Sequence, residues 1–491
     1  MEQQLSPEQQ IAFNKYVRGE NIFITGPGGS GKSALIKQIY HHAKTNWKNI
    51  QITALTGCAS VLLNCKAKTI HSWAGIGLCT GTTEYYVSKI KKRKFLKSAW
   101  QQVEVLVIDE VSMLSLKLFD TLDVIGKAVR GNSKPFGGIQ LVFSGDFYQL
   151  PPVGSKDEPD TERFCFESEN WSAAFPLTNQ IEMKKIFRQT DDTYAAILNQ
   201  IREGRIKRKY NELLLQYVGR VPVSNLVAEP TKLFPTKAKV DHINTERMML
   251  LDNEEKVFGI RYLKNLEITK SEKEMRNQFT EKDIQYELEF LASNLNCEKE
   301  MKLKIGAQVM CIINMKTEEG DILLCNGSQG IVTGFCDLTG FPRVKYNNQL
   351  EMVMAPHVWQ SDKIPGIGVA QLPLILSWAL TIHKCQGATL DAAEIDVGSG
   401  IFECGQTYVA LSRVKSLDGL YLSSFDVNRI KINKKVKEYY ELLKALSNTK
   451  VEDLELQPNP FEQYKYTDVH KVVAKEGHSQ PYKELLCVKK I

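Results

Sequence analysis

Residues 21–33, NIFITGPGGSGKS, join an apolar run to the pattern G-x-x-x-x-G-K-[ST], and the helix-compatible stretch ALIKQIYHHA follows directly. That order of strand, loop and helix restricts this part of the chain to an α/β architecture built around a phosphate-binding loop. Gly26, Gly28, Gly29 and Gly31, with Ser30 among them, let backbone N–H groups curl around phosphate oxygens without a Cβ in the way. The helix N-terminus adds the positive end of its dipole. Lys32 is then placed to reach the β- and γ-phosphates, and the Ser33 hydroxyl to ligate Mg²⁺.

Such a loop needs a metal-orienting carboxylate on a neighbouring strand, and VEVLVIDEVSML at 103–114 supplies one. Val103 and Val105 to Ile108 read as a buried parallel strand ending in Asp109 and Glu110, at the edge where α/β sheets bind ligands. Asp109 is expected to orient Mg²⁺ and its water, and Glu110 to act as general base for an attacking water. Nucleotidyl kinases and GTPases share these features. A third apolar run, GGIQLVFSGDFYQLPPV at 137–153, ends in Gly145, Asp146 and Gln149. The neutral amide of Gln149 suits a γ-phosphate sensor, and Pro151 and Pro152 stiffen the segment behind it.

Length and composition set the frame for these motifs. At roughly 150 residues per domain, 491 residues suggest about three domains. A content of 43% hydrophobic and 24% charged residues, with no apolar run of membrane-spanning length, reads as a globular protein without a membrane span. The N-terminal MEQQLSPEQQ has neither the apolar core of a secretory signal nor the arginine-rich character of a transit peptide, so an intracellular location is expected. Nucleus, cytoplasm and a viral replication site all stay open. Eleven scattered cysteines without a C-x-x-C pair speak against zinc ribbons and iron–sulfur clusters and for reduced thiols. Within a modest net charge of +6, KIKKRKFLK (89–97) and REGRIKRK (202–209) concentrate basic residues. Each reads as a polyanion-attracting patch or as a solvated helix face, and KIKKRK also as a nuclear import signal.

The segments LSPEQQ, GPGGSGKS, LTGCAS with TIHSWAGIG, VLVIDEVSML, PFGGIQLVFSGDFYQLPPV, IFRQ, TIHKCQGATLD and YVALSRV follow one another from residue 5 to about residue 425. In that order they resemble the helicase motifs of the PIF (petite integration frequency) family. This family lies in the RecD-like branch of superfamily-one helicases, whose members move 5′-to-3′ on single-stranded DNA. PFGGIQLVFSGDFYQLPPV is the most specific piece, joining the family's signature segment to its third helicase motif. The resemblance implies an ATP- and Mg²⁺-dependent helicase acting on single-stranded DNA and on forked or 5′-tailed duplexes. G-quadruplexes and RNA–DNA hybrids are further substrates to consider, with no membrane partner and no required oligomer.

Residue roles carried by the resemblance follow the motifs. Gln9, chosen over the adjacent Gln10 by spacing, would read the adenine edge, and Arg188 and Arg413 match the two arginine fingers. Planar guanidinium groups neutralise charge developing on phosphoryl oxygens, an effect worth ~10³- to 10⁵-fold in rate. Thr56 and Gly57 would offer a hydroxyl and an N–H to the DNA backbone, and His71, ahead of Trp73, would meet bases. Trp73 reads more readily as core. Ser60 replaces the family's usual second alanine and bears only on local packing.

In WALTIHKCQGATLD (378–391), a Cys–His nucleophile would need a third orienting group and a metal site further ligands, and neither set appears nearby. The resemblance instead has His383 and Lys384 facing nucleic acid, with Gln386 and Gly387 opening a helix beside the ATP cleft as coupling residues. Cys385 stands where the family more often has serine.

The implied fold is α/β. It has two RecA-like parallel-sheet motor domains, a small wedge insertion in the first and a small Src-homology-type β-barrel inserted in the second. Expected boundaries are 1–180 for the first motor domain, with the wedge near 62–90, and 181–255 plus 366–430 for the second. The insertion occupies 256–365, opening with the helix-like KSEKEMRNQFTEKDIQYELEFLASN and including the turn signal Asn326-Gly327. A C-terminal helical extension fills 431–491. Two rivals remain: a helicase of RNA or RNA–DNA hybrids, since ATP-binding motifs do not discriminate the sugar, and a nucleic-acid-binding ATPase switch without processive unwinding.

Overall fold

The computed structural model describes residues 5–447 apart from 64, 78, 156, 223–226, 296, 317–321 and 362–363. Most of the expected extension at 431–491 therefore lies outside the described residues. Six parallel strands form the first sheet: β1 (Ile22–Thr25), β2 (Ile50–Ala54), β3 (Lys68–Thr69), β4 (Val105–Asp109), β5 (Gln140–Ser144) and β6 (Gln180–Glu182), in the order β3-β2-β4-β5-β1-β6. The central strands are apolar runs buried along their length, as a sheet covered on both faces requires. Register pairs Ala54 with Asp109 and Ile24 with Ser144, so the phosphate loop and the two acids leave the sheet at one edge.

Three expected divisions of the chain change. β6 pairs with β1 through Phe23–Gln180 and Thr25–Glu182, so the first domain runs past residue 180. The stretch near 62–90 is not a separately packed subdomain. Its short strand β3 extends the first sheet, and its helices Ile70–Ala74 and Thr83–Lys92, with Lys94–Gln102, share the first domain's core through Ile70, Trp73, Tyr86, Ile90, Leu96 and Trp100. Those apolar residues recur at helical spacing, and the nearest surface to bury them is the sheet-covering helix Leu116–Arg130.

The second parallel sheet orders Ala379–Thr381, Thr231–Phe234, Ala393–Val397 and Leu420–Phe425. Between its first two strands in sequence lies the insertion. Helices Lys270–Arg276 and Glu281–Asn294 open on capping boxes, Thr269 with Glu272 and Thr280 with Asp283. A five-stranded antiparallel sheet follows, ordered Glu351–Val353, Pro342–Tyr346, Gln329–Phe335, Gln308–Cys311 and Leu374–Leu376. Gly327 turns with φ +101°, as the Asn-Gly signal requires. Residues 366–376, expected in the motor domain, belong to the insertion: Gly368–Gln371 pairs with Arg261–Leu263 and Leu374–Leu376 with Gln308–Cys311. Their continuous apolar character is that of any buried strand, and only the available partner decides the sheet.

Helix Lys434–Ser447 returns to the first domain, where Val436, Tyr439, Tyr440 and Leu443 enter the same core as Phe23, Phe147 and Trp171. Among the described residues no helix is long and apolar enough to cross a membrane, and no group of three or more metal-ligating side chains occurs.

Candidate nucleotide cleft between two sheets

The loop after β1 depends on its glycines. Gly26, Gly29 and Gly31 have φ of +132°, +82° and +85°. A Cβ on each would come within 2.4 Å of Met183 O, 2.4 Å of Arg188 Cβ and 2.5 Å of Gln9 Nε2 respectively. Side chains are therefore excluded both by backbone conformation and by neighbours. Lys32, at the start of helix Lys32–Thr45, donates to Gly26 O at 2.6 Å and Pro27 O at 3.0 Å. Burial lowers its pKa, while Asp146, Glu110 and Asp109 oppose that shift. Ser30 is buried, and Ser33 is exposed on the helix's first turn.

Gln9 and Gln10 take different places. Gln9 completes a capping box with Ser6, its Oε1 accepting from Ser6 N at 2.8 Å, and its Nε2 donates to Gly31 O at 3.1 Å. Gln10 is exposed and bonds only to Asn14 among the side-chain partners described.

At the end of β4, Asp109 is buried, and its pKa is pushed up to about 7 by desolvation and then by the charge of Glu110. Glu110 has φ +57°, an uncommon conformation for a residue other than glycine, and begins a short 3-10 turn. A carboxyl held reluctant to ionise beside a second acid fits a hard dication, which would restore the carboxylate. Together with the glycine cradle and the Ser33 hydroxyl, Asp109 gives a donor set that fits Mg²⁺ and nucleotide phosphates.

The opposite wall comes from the second domain. Phe187 N donates to Gly29 O at 2.8 Å, which seats Arg188 on the loop. Arg188 Nη1 donates to Ser412 O at 3.2 Å. Arg413 is 1% exposed, donating to Val409 O at 2.8 Å, to Ser412 Oγ at 2.7 Å, and to Cys385 O and Ala388 O at 3.3 Å each. A Cβ on Gly28 would lie 3.7 Å from Arg188 Nη1 and 3.8 Å from Arg413 Nη2. Two cations thus converge on one glycine of the loop. Burial, and then Arg413, bring the Arg188 pKa down to about 10. Gly28 N also donates to Tyr408 Oη at 2.8 Å, and Gln386 Nε2 donates to Glu110 Oε2 at 3.2 Å. Gln149 is buried, and its carbonyl abuts Gly405, where a Cβ would approach to 2.5 Å.

Gln386 and Gly387 do not open a helix. Residues 382–387 form a turn, with Gln386 N bonded to His383 O and Gly387 at φ +83°. The carbonyls of Cys385 and Ala388 are taken by Arg413, and the left-handed glycine reverses the chain.

The remaining candidates are the residues expected to face nucleic acid. Thr56 and Gly57 follow β2 at the same sheet edge, Thr56 Oγ accepting from Ala59 N at 3.2 Å. His71 is half-buried, and burial lowers its pKa. Trp73 is core, its ring 4.7 Å from that of Trp100. His383 is half-buried with its pKa lowered by burial, and Lys384 is exposed.

The motif reading assigned no role to Tyr408, to Asp146 or to Arg202. Asp146 accepts two hydrogen bonds from Arg202 at 2.9 Å each, and both residues are buried. Arg202 therefore does not belong to a solvated basic face, although it opens the run REGRIKRK. Helical spacing carried the signal: Tyr194, Ile197, Leu198 and Ile201 are buried, and Arg202 stands four residues after Leu198.

The parallel sheets, the glycine loop on the first and the paired arginines on the second define a P-loop protein with two RecA-like motor domains. A family model described as PIF1-like helicase matches residues 4–212, and one described as DNA helicase Pif1, 2B domain matches residues 288–335. The human ATP-dependent DNA helicase PIF1 is 35% identical over 452 residues, covering 90% of this chain and 64% of that protein. The ATP-dependent DNA helicase RRM3 of Saccharomyces cerevisiae is 32% identical, with 90% and 68% covered. The crystal structure of Pif1 helicase from Candida albicans aligns with a TM-score of 0.70 at 32% identity, over 90% of this chain and all of that one. The chain belongs to the PIF1-like helicase family, and spans about two thirds of the length of these curated relatives.

Proposed function

We propose that the chain is an ATP-dependent DNA helicase that translocates 5′-to-3′ on single-stranded DNA and unwinds forked or 5′-tailed duplexes. The observation that carries this reading is the convergence of Arg188 and Arg413 on Gly28, because it makes closure of one domain on the other a condition for a complete site. The loop N–H groups and Lys32 bind the β- and γ-phosphates, and Gln9 reads the adenine. Ser33 and Asp109 would hold Mg²⁺, which when bound neutralises phosphate charge. Glu110 takes the proton of the attacking water, oriented by the bond from Gln386. Arg188 and Arg413 donate to phosphoryl oxygens as charge develops, and Gln149 senses the γ-phosphate.

Release of phosphate loosens both arginines, and the second domain moves. Thr56, Gly57 and His71 on one domain and His383 and Lys384 on the other grip the strand alternately, so each closure becomes a step. The relatives' names support DNA as the track. Such an enzyme works inside the cell, where DNA and ATP occur together.

Strand displacement on matched 5′- and 3′-tailed DNA duplexes, with Lys32→Ala as the inactive control, tests this reading. Unwinding of the 5′-tailed substrate alone is expected. A 3′ requirement refutes the polarity, a preference for matched RNA forks refutes the substrate, and DNA-stimulated hydrolysis without displacement leaves an ATPase switch.

A further inference from the structure

Where helix Lys434–Ser447 reaches the end of β1, one hydroxyl joins three parts of the protein. Tyr440 Oη lies 2.5 Å from Thr25 Oγ, the last residue of β1 before the loop. It accepts from Phe147 N at 3.1 Å and donates to Asp146 Oδ1 at 3.2 Å. With Thr25 as a second donor, the hydroxyl's bonding capacity is used in full. The Tyr440 ring stacks on Tyr148 at 4.6 Å and 13°. The Arg202 guanidinium lies 4.7 Å from the Tyr148 ring centroid and 5.0 Å from that of Tyr440 while it holds Asp146. Arg202 Nη1 also stands 3.6 Å from Glu182 Oε1, and Glu182 is the register partner of Thr25.

Buried ion pairs are costly to separate once one partner is left uncompensated. Movement of the second-domain helix Asp192–Arg202 is therefore passed to Asp146 rather than absorbed at the contact. Asp146 lies three residues before Gln149, and Gln149 N donates back to Asp146 O at 2.8 Å. For that movement to reach the phosphate loop as well as the segment 145–149, Asp146 needs a link to the loop's supporting strand. Tyr440 supplies one by tying Thr25 to Asp146.

We propose that Tyr440 is a positioning residue of the ATPase cycle, its hydroxyl transmitting movement of Arg202 through Asp146 to the Gln149 segment and the end of β1. Tyr440 is fully buried, and its role rests on the helicase reading above. Loss of the hydroxyl slows turnover without weakening nucleotide binding.

The test uses the full chain and two variants that cut the same bond from opposite sides, Tyr440→Phe and Thr25→Val. Measured quantities are kcat and KM for ATP with oligo-dT, base pairs displaced per ATP on a 5′-tailed duplex, and melting temperature. Both variants are expected to lower DNA-stimulated kcat about tenfold, with KM within about twofold and fewer base pairs opened per ATP. Should Tyr440→Phe fail to fold, Thr25→Val carries the same expectation. Wild-type kcat and displacement in the folded variants overturn the proposal, as does a loss of rate matched by an equal loss of folded protein. Absence of ATP hydrolysis by the wild-type chain overturns the functional reading itself, a result separate from these.

Discussion

The side-chain amide of Gln386 donates to the carboxylate of Glu110 across 3.2 Å, linking residues 276 positions apart that follow strands of different sheets. Glu110 is thereby oriented by the domain that carries the candidate DNA-facing residues His383 and Lys384. Gln386→Ala is expected to leave nucleotide affinity within about twofold while lowering DNA-stimulated kcat by roughly 10- to 100-fold, as for a lost transition-state interaction. Steady-state ATPase assays with and without oligo-dT check this.

Arg188 and Arg413 face the loop in unlike settings. Arg413 is held by four acceptors and Arg188 by the Ser412 carbonyl. Alanine at either position is expected to reduce kcat by about 10³-fold or more. Lysine at 413 fails as severely, because its single ammonium cannot satisfy acceptors arranged for a planar guanidinium. Single-turnover hydrolysis, compared with binding of a fluorescent nucleotide, separates lost chemistry from lost affinity.

For Asp109, the raised folded pKa means that the folded protein binds more protons than the unfolded chain between about pH 4 and pH 7. In the absence of metal and nucleotide, this group's contribution to stability is largest below the ordinary carboxylate pKa and is lost as pH rises through about 7. Mg²⁺–nucleotide binding works in the opposite sense, since it requires the carboxylate. Affinity is expected to rise from pH 6 to pH 8 with release of a proton, measured by calorimetry in two buffers of different ionisation enthalpy. Asp109→Asn abolishes hydrolysis, flattens the pH dependence and leaves the apoprotein at least as stable at pH 8.

Gly29 meets Arg188 where no Cβ fits. Gly29→Ala is expected to keep the first domain folded but to prevent Arg188 from seating, so that ATPase activity falls by at least about 100-fold. A circular dichroism melt beside the ATPase assay distinguishes this from unfolding.

His71 and Trp73 are two residues apart and predicted to behave oppositely. Trp73→Ala removes a core ring and is expected to cost about 3–5 kcal/mol of stability. His71→Ala is expected to change stability by under about 0.5 kcal/mol and to weaken single-stranded DNA binding by about 1–3 kcal/mol, as loss of a base stack would. Denaturant titration and fluorescence anisotropy measure the two effects.

Much of the cleft was legible in the chain because its parts are local. The loop, its strand and its helix are contiguous, and Asp109 and Glu110 follow a run too apolar to be anything but a buried strand. Less legible were features that depend on a partner distant in sequence. β6 and the strand Leu374–Leu376 are short, and their sheet is set by which edge is free to pair. Arg202 looked like one more surface cation in a basic run because charge composition does not report burial. Its helical phase did.

By itself, then, the sequence determined the phosphate loop and the buried strand that ends in Asp109 and Glu110, since both rest on short-range spacing and on the chemistry of residue types. Arg188, Arg413 and the pair of motor domains were implied only by resemblance to the family's motifs. Only the tertiary structure decided which groups meet. It set Gln386 on Glu110, Arg202 on Asp146, and Tyr440 between Thr25 and Phe147. These bonds close loops of tens to hundreds of residues, and no local periodicity encodes a distance that exists only after two sheets and a returning helix have packed.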